Sequence, residues 1–227
     1  MVWVGAEYSF ASTFSYRIPY FSSSYALSAP TPSPSTVKLA AVSSIINRSG
    51  DVEKGRKLFD GIKTVPVGLV LPNKIAIFKS FMKRLKQKRS ERGFERTFGI
   101  REYIVYGDTL NIHLNVPPEK SQLMLEALMD IQYFGSSDSV CSCINSGFIE
   151  PNLKRCPQPF DKSSLIKEGS KGIVFMLTDF TDRATFDDIN PYSGKKMAKG
   201  ALILKPFLYP LRVAIKESNY TVYELIR

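Results

Sequence analysis

Residues 101–116, REYIVYGDTLNIHLNV, alternate apolar and polar side chains in two runs broken at Gly107-Asp108. A period of two marks a strand or hairpin with one face turned to a core. Pro117 and Pro118 stop the run and open a helix over 119–131, where Leu123, Ala127, Leu128 and Ile131 fall at helical spacing. Residues 139–149 alternate again as a strand. Upstream, residues 64–71 (TVPVGLVL) are a β-branched run whose Pro66 and Gly68 place it at a sheet edge or on a bulge. Residues 51–63 mix charges with Leu58, Phe59 and Ile62 and read as a short helix or ordered loop. The serine- and proline-rich stretch 22–35 stays extended until Pro34 is passed. Ser33 or Ser35 then caps a helix whose apolar face includes Val37, Ala41, Val42 and Ile45 and which ends near Asn47 and Gly50. Residues 2–18 form the first strand, long and bulged, with Val2, Val4, Ala6, Tyr8 and Phe10 on one face. Strand, helix, strand, strand, helix, strand is the order of a ferredoxin-like (RRM-like) βαββαβ core, and it predicts an α+β domain over 1–150. Two helices cannot supply the crossovers of an all-parallel sheet. Beyond Pro151, runs at 172–180, 201–207, 211–215 and 220–226 predict a small C-terminal β extension over 151–227.

The 227 residues are 44% hydrophobic and 23% charged, the balance of a chain able to bury a core. A net charge of +10 favours polyanionic partners, nucleic acid first. One histidine excludes HExxH and Cys2His2 metal sites. Three cysteines, an odd number in a chain of this length, predict a reducing, cytoplasmic compartment. Glu7 interrupts the N-terminal apolar residues and no basic residue precedes Arg17, so no signal peptide is expected. No apolar run approaches the ~20 residues of a membrane span, and no membrane partner is expected.

The excess charge is concentrated. Between Lys74 and Arg101 ten cations face only Glu91 and Glu95, a balance of +8, in an insertion at about 72–100 between two core strands. Ile75, Phe78, Met82 and Leu85 follow the spacing of an apolar helical seam, which predicts a basic helical arm anchored on the core. A bland alternative is a solvated helix that only confers solubility. A narrow seam inside a domain argues against a membrane-surface helix or a calmodulin-type target. Such crowding costs self-repulsion unless an anion offsets it, and Phe94 and Phe98 interleave with Arg92 and Arg96 as base-stacking surfaces would. Lys83, Arg84, Lys86, Lys88, Arg89, Arg92, Arg96 and Arg101 are therefore the expected phosphate contacts.

Other clusters have structural readings. His113 lies on the polar face of its strand with Asn111 and Asn115, and reads as a surface or sheet-face histidine more readily than as an acid or base. Cys141, Cys143 and Cys156 with His113 could make a Cys3His site, but C-x-C lacks a zinc knuckle and buried inert thiols fit better. Asp179, Asp182, Asp187 and Asp188 match no calcium loop and read as an acidic turn. Tyr8 and Phe10 could stack bases, but the RNP1 pattern is absent and core packing is the default. No metal or cofactor is expected.

Three stretches, in this order, resemble one family: the small RAMP-superfamily subunit of type I CRISPR Cascade effectors, the fifth Cas protein family. They are PSPSTVKLAAV at 32–42 after an aromatic first strand, the basic insertion followed at once by Arg101-Glu102-Tyr103, and the turn YFGSSDS at 133–139. The ending NYTVYELI at 219–226 is similar to the family's last strand. Where many members carry arginines after the turn glycine, this chain has Ser136 and Ser137; the tyrosine, lysine and histidine set of RNA-cutting members has no match, because His113 lacks an adjacent lysine. The resemblance implies a noncatalytic subunit that caps the 5′ handle of the CRISPR RNA, meets the backbone RAMP subunit and the large subunit, touches target DNA only indirectly, and belongs with the archaeal subtype I-A branch. Ser33, Ser35 and Thr36 at the first helix's N-terminus, with Lys38 nearby, would add RNA contacts or simply cap the helix. The alternatives are a metal-independent endoribonuclease using Tyr106 or His113, and a generic single-stranded RNA binder.

Overall fold

The computed structural model describes residues 1–18, 21–22, 24–88, 92–160 and 171–226. The elements are β1 (Val2–Phe10), β2 (Tyr25–Ala26), α1 (Pro34–Ser49), α2 (Val52–Ile62), β3 (Val67–Val70), β4 (Lys74–Gln87), β5 (Phe94–Tyr106), β6 (Leu110–Val116), α3 (Pro118–Met129) and β7 (Cys141–Phe148). They continue with β8 (Gln158–Pro159), β9 (Ile173–Phe180), the single turn α4 (Phe186–Ile189), β10 (Leu202–Tyr209), β11 (Leu211–Lys216) and β12 (Tyr220–Leu225).

The antiparallel sheet β3-β6-β1-β7 is the expected ferredoxin-like core, with the proline-flanked β3 at an edge. Its helix-facing rows, Val4, Ala6 and Tyr8 on β1 and Leu110, Ile112, Leu114 and Val116 on β6, pack with Val37, Ala41 and Ile45 of α1 and Met124, Ala127 and Leu128 of α3. Tyr8 reaches across this layer to donate from Oη to the Leu128 carbonyl at 2.6 Å. Local chemistry sets the helix ends. The Ser33 hydroxyl accepts from Thr36 N, Pro34 occupies the first turn, and Gly50 closes α1 at φ 67°, a left-handed conformation open to glycine. Asp51 caps residues 52–62, which settles that stretch as a helix.

Two expectations are corrected. The first strand ends at Phe10 rather than near Ile18, with its bulge at Glu7/Tyr8 against β7. The chain then leaves the sheet, and Phe14 bridges Ile104 of β5. Phe14 and Phe10 meet Tyr106 at 5.9 and 5.1 Å between ring centroids, so these aromatics tie two sheets together. The second correction concerns the basic insertion, which is a long β-hairpin and not a helix. Ile75 and Leu85 lie on one face of β4 and Phe78 and Met82 on the other, so the apparent helical seam is split by the pleat. β-Branched and aromatic residues suit the strand, and Gly93 at φ 120° makes the turn, where Lys88 N donates to the Gly93 carbonyl at 3.1 Å.

The hairpin's base lies in a second sheet, β11-β12-β4-β5-β2, so the last strand of the chain pairs with β4, Tyr220 opposite Phe78 through Glu224 opposite Lys74. β8, β10 and β9 form a third sheet. The break at Gly107-Asp108 is the point where the chain passes from the second sheet to the first: β5 pairs with β4 and β2, whereas β6 pairs with β1 and β3. Among the described residues no helix is long and apolar enough to cross a membrane.

Candidate nucleic-acid interface

Strand β4 runs against β5 from Ile75 opposite Tyr106 to Gln87 opposite Phe94. Neighbouring strands cover only its base: β12 reaches Phe78, and β2 touches Ile100 and Arg101. Beyond them the hairpin is a two-stranded ribbon. Its seven residues from Phe81 to Gln87 extend roughly 24 Å at strand rise.

The register sorts the ribbon into two faces. One carries Phe81, Lys83, Leu85, Phe94, Arg96, Phe98 and Ile100; the other carries Met82, Arg84, Lys86, Glu95 and Thr97. Phe81 and Phe98 stack at 5.7 Å and 22° while remaining 67% and 58% exposed. Leu85 and Phe94 continue this exposed row. Lys83, Arg84, Lys86, Arg92 and Arg96 are exposed and make no ion pair with a described residue. Lys88 lies at the tip, and Arg89 lies outside the described residues. Thus the structure brings Lys83, Arg84, Lys86, Lys88, Arg92 and Arg96 together on one projection. Phe81 and Leu85 join them, and only strand periodicity could have shown that they share a face with Phe98.

Arg101 belongs to the base instead, where its Nη1 pairs with Asp138 at 3.1 Å. Asp138 sits in the 133–139 turn, which Gly135 makes at φ 75°. Ser139 anchors this turn, its Oγ accepting from Ser15 N at 3.0 Å. A side chain built on Gly135 would approach Tyr16 and Thr36, so the turn lies against the start of α1. The turn, Thr36 and Arg101 therefore converge where the ribbon leaves the core.

Ser33, Ser35 and Lys38 do not reach the surface. Ser33 and Ser35 are buried in a hydroxyl cluster in which Tyr16 Oη and Thr178 Oγ1 donate to Ser33 Oγ at 3.0 and 2.9 Å, and Ser35 Oγ meets Thr178 Oγ1 at 2.6 Å. Lys38 is 0% exposed; its Nζ donates to Asp179 at 2.7 Å and to the Lys63 carbonyl at 2.8 Å. Burial pushes the Lys38 pKa down, and the Asp179 charge opposes that shift. These groups fasten α1 to β9.

No protein-family model matches the chain. Over 230 residues it is 34% identical to the CRISPR-associated protein Cas5 of Archaeoglobus fulgidus, spanning 96% of each chain. The chain belongs to the Cas5 family. A crystal structure of a CRISPR protein from Archaeoglobus fulgidus shares the fold at a TM-score of 0.52 and 12% identity, over 99% of this chain and 92% of that one. A chain in the cryo-EM structure of type III-B Cmr-beta bound to cognate target RNA and AMPPnP superposes at a TM-score of 0.46 and 10% identity, over 96% and 86%.

In this Cas5-family chain the other candidates fall inside the core or into turns. Tyr106 donates its hydroxyl to the Pro30 carbonyl at 2.7 Å, and burial raises its pKa well above the ordinary value. His113 is 8% exposed between Gly5 and Gly68 of the flanking strands, and burial lowers its pKa. Side chains on those glycines would crowd the imidazole, so their absence makes its slot. Burial pushes Cys141 up to about 12 and Cys156 up to about 11, which keeps these thiols protonated. Asp187 pairs with Arg56 and Lys195, and Asp188 completes a capping box with Thr185. Among the described residues no three His, Cys, Asp or Glu side chains are placed to hold a metal ion.

Proposed function

We propose that this protein is a noncatalytic guide-RNA-binding subunit of a type I CRISPR Cascade effector, gripping the 5′ handle of the CRISPR RNA beside the backbone and large subunits. One observation carries the reading: a projecting ribbon with five exposed cations that make no ion pair with a described residue, and a row of exposed aromatic rings. A two-stranded ribbon is marginal by itself in water, and its like charges repel. A single strand of RNA offsets both, its phosphates meeting Lys83, Arg84, Lys86, Arg92 and Arg96 and its bases stacking on Phe81 and Phe98. Arg101, held by Asp138 beside the turn, continues the cationic track toward the core.

Nuclease footprinting on repeat-derived RNA, with the assembled complex, tests this reading. The expected result is protection of the 5′ handle that disappears when Lys83, Arg84 and Lys86 are replaced by alanine. Unchanged protection in that variant, or discrete metal-independent cleavage by the wild type, overturns it.

A further inference from the structure

On the ribbon face that carries Phe81 and Phe98, one step nearer the core, Lys79 stands directly opposite Glu102. Both line a cavity of about 340 Å³ together with Phe175, Glu217, Tyr220 and Tyr223. The opposed pair does not close on itself. Lys79 Nζ lies 5.9 Å from the centroid of the Tyr25 ring, and the Glu102 carboxylate accepts one bond, from Ser28 N to Oε2 at 2.9 Å. Among the described residues nothing donates to Oε1. A carboxylate has about four acceptor positions, so Oε1 stands open to a donor that enters the cavity. Burial raises the pKa of Glu102.

We propose that this cavity receives one base of the bound RNA, with Glu102 reading its Watson–Crick edge and selecting guanine. Guanine alone presents a ring N–H and an exocyclic amine side by side, which one carboxylate can accept together, while aromatic walls take the faces of the base. An arginine from a protein partner would also satisfy Glu102. Glu217 on the same lining favours such a cation, but Lys79 at the cavity and Lys83 two steps out along the same face give a phosphodiester its partners. The row Phe94, Phe98 and Phe81 leads a stacked strand toward the cavity. The inference rests on the RNA-binding reading above.

Fluorescence anisotropy on the full chain, with an oligouridylate of about twelve nucleotides carrying one guanosine, adenosine, cytidine or inosine, tests it. The expected preference for guanosine is on the order of 10- to 100-fold, with inosine losing most of it for want of the exocyclic amine. Glu102→Gln keeps an acceptor for Ser28 N. It should erase the preference for guanosine over the other three probes. Equal affinity for all four probes overturns the base pocket alone, as does a guanosine preference that survives Glu102→Gln. The inosine probe decides the matter even where the variant folds poorly, because it alters only the RNA. A wild type that binds none of the probes overturns the RNA-binding reading and the pocket with it.

Discussion

Replacing Phe98, or Phe81 and Phe98 together, by alanine separates stacking from charge on the ribbon. The rings are 58% and 67% exposed, so their removal uncovers little core, and the cross-strand pair itself contributes about 0.2–1 kcal/mol. Thermal stability should therefore barely change. A base stacked on an aromatic side chain contributes roughly 1–3 kcal/mol, which is about 5- to 150-fold in affinity for each base lost. Anisotropy titrations of repeat RNA at several salt concentrations read both quantities, the affinity and its salt slope. Because no charge is removed, the slope should match the wild type while the affinity falls at every concentration. A variant that binds as tightly as the wild type would refute the stacking role. A changed slope with unchanged high-salt affinity would show that the rings only hold the cations in place.

Lys38→Ala should lower stability by about 3–5 kcal/mol by removing one partner of a buried pair, read as a fall in Tm, with the RNA salt slope unaltered. A weakened slope at intact stability would return Lys38 to the interface. Gly135→Ala should cost about 1 kcal/mol from the left-handed backbone, with no clash, since the nearest atoms stand at 3.6 Å from an added Cβ. The depressed pKa of His113 means that the unfolded chain binds its proton first. The stability this residue contributes is complete above its ordinary value of 6.5 and is lost as pH falls below that. Denaturation midpoints between pH 7.5 and 5.5 should fall, and His113→Gln should flatten that decline.

Much of the core is legible in short-range pattern. The period-two run at 110–116, the prolines before α3 and the Ser-Pro start of α1 act within a turn or two, and each element formed where that local chemistry placed it. The hairpin was not legible in the same way, because Ile75, Phe78, Met82 and Leu85 satisfy helical spacing by coincidence. What decides for strands is a pairing partner, β12, that arrives more than a hundred residues later. Lys38 was misplaced for the same reason. Near Ser35 and Thr36 it resembles a surface cation, and only the approach of Asp179, 141 residues away, makes it a buried one. The positive charge of the insertion was plain from composition. Its division into an aromatic face and a polar face required the register.

The most direct test of the account is the salt dependence of guide-RNA binding for the wild type against a variant with Lys83, Arg84, Lys86, Arg92 and Arg96 all replaced by alanine. If each cation meets one phosphate, the five together contribute a slope of about −3.5 in log affinity against log salt, roughly 100-fold between 50 and 200 mM. The account predicts that the variant folds, binds weakly and has a slope flatter by about that amount. A variant that retains the wild-type affinity and slope would contradict it.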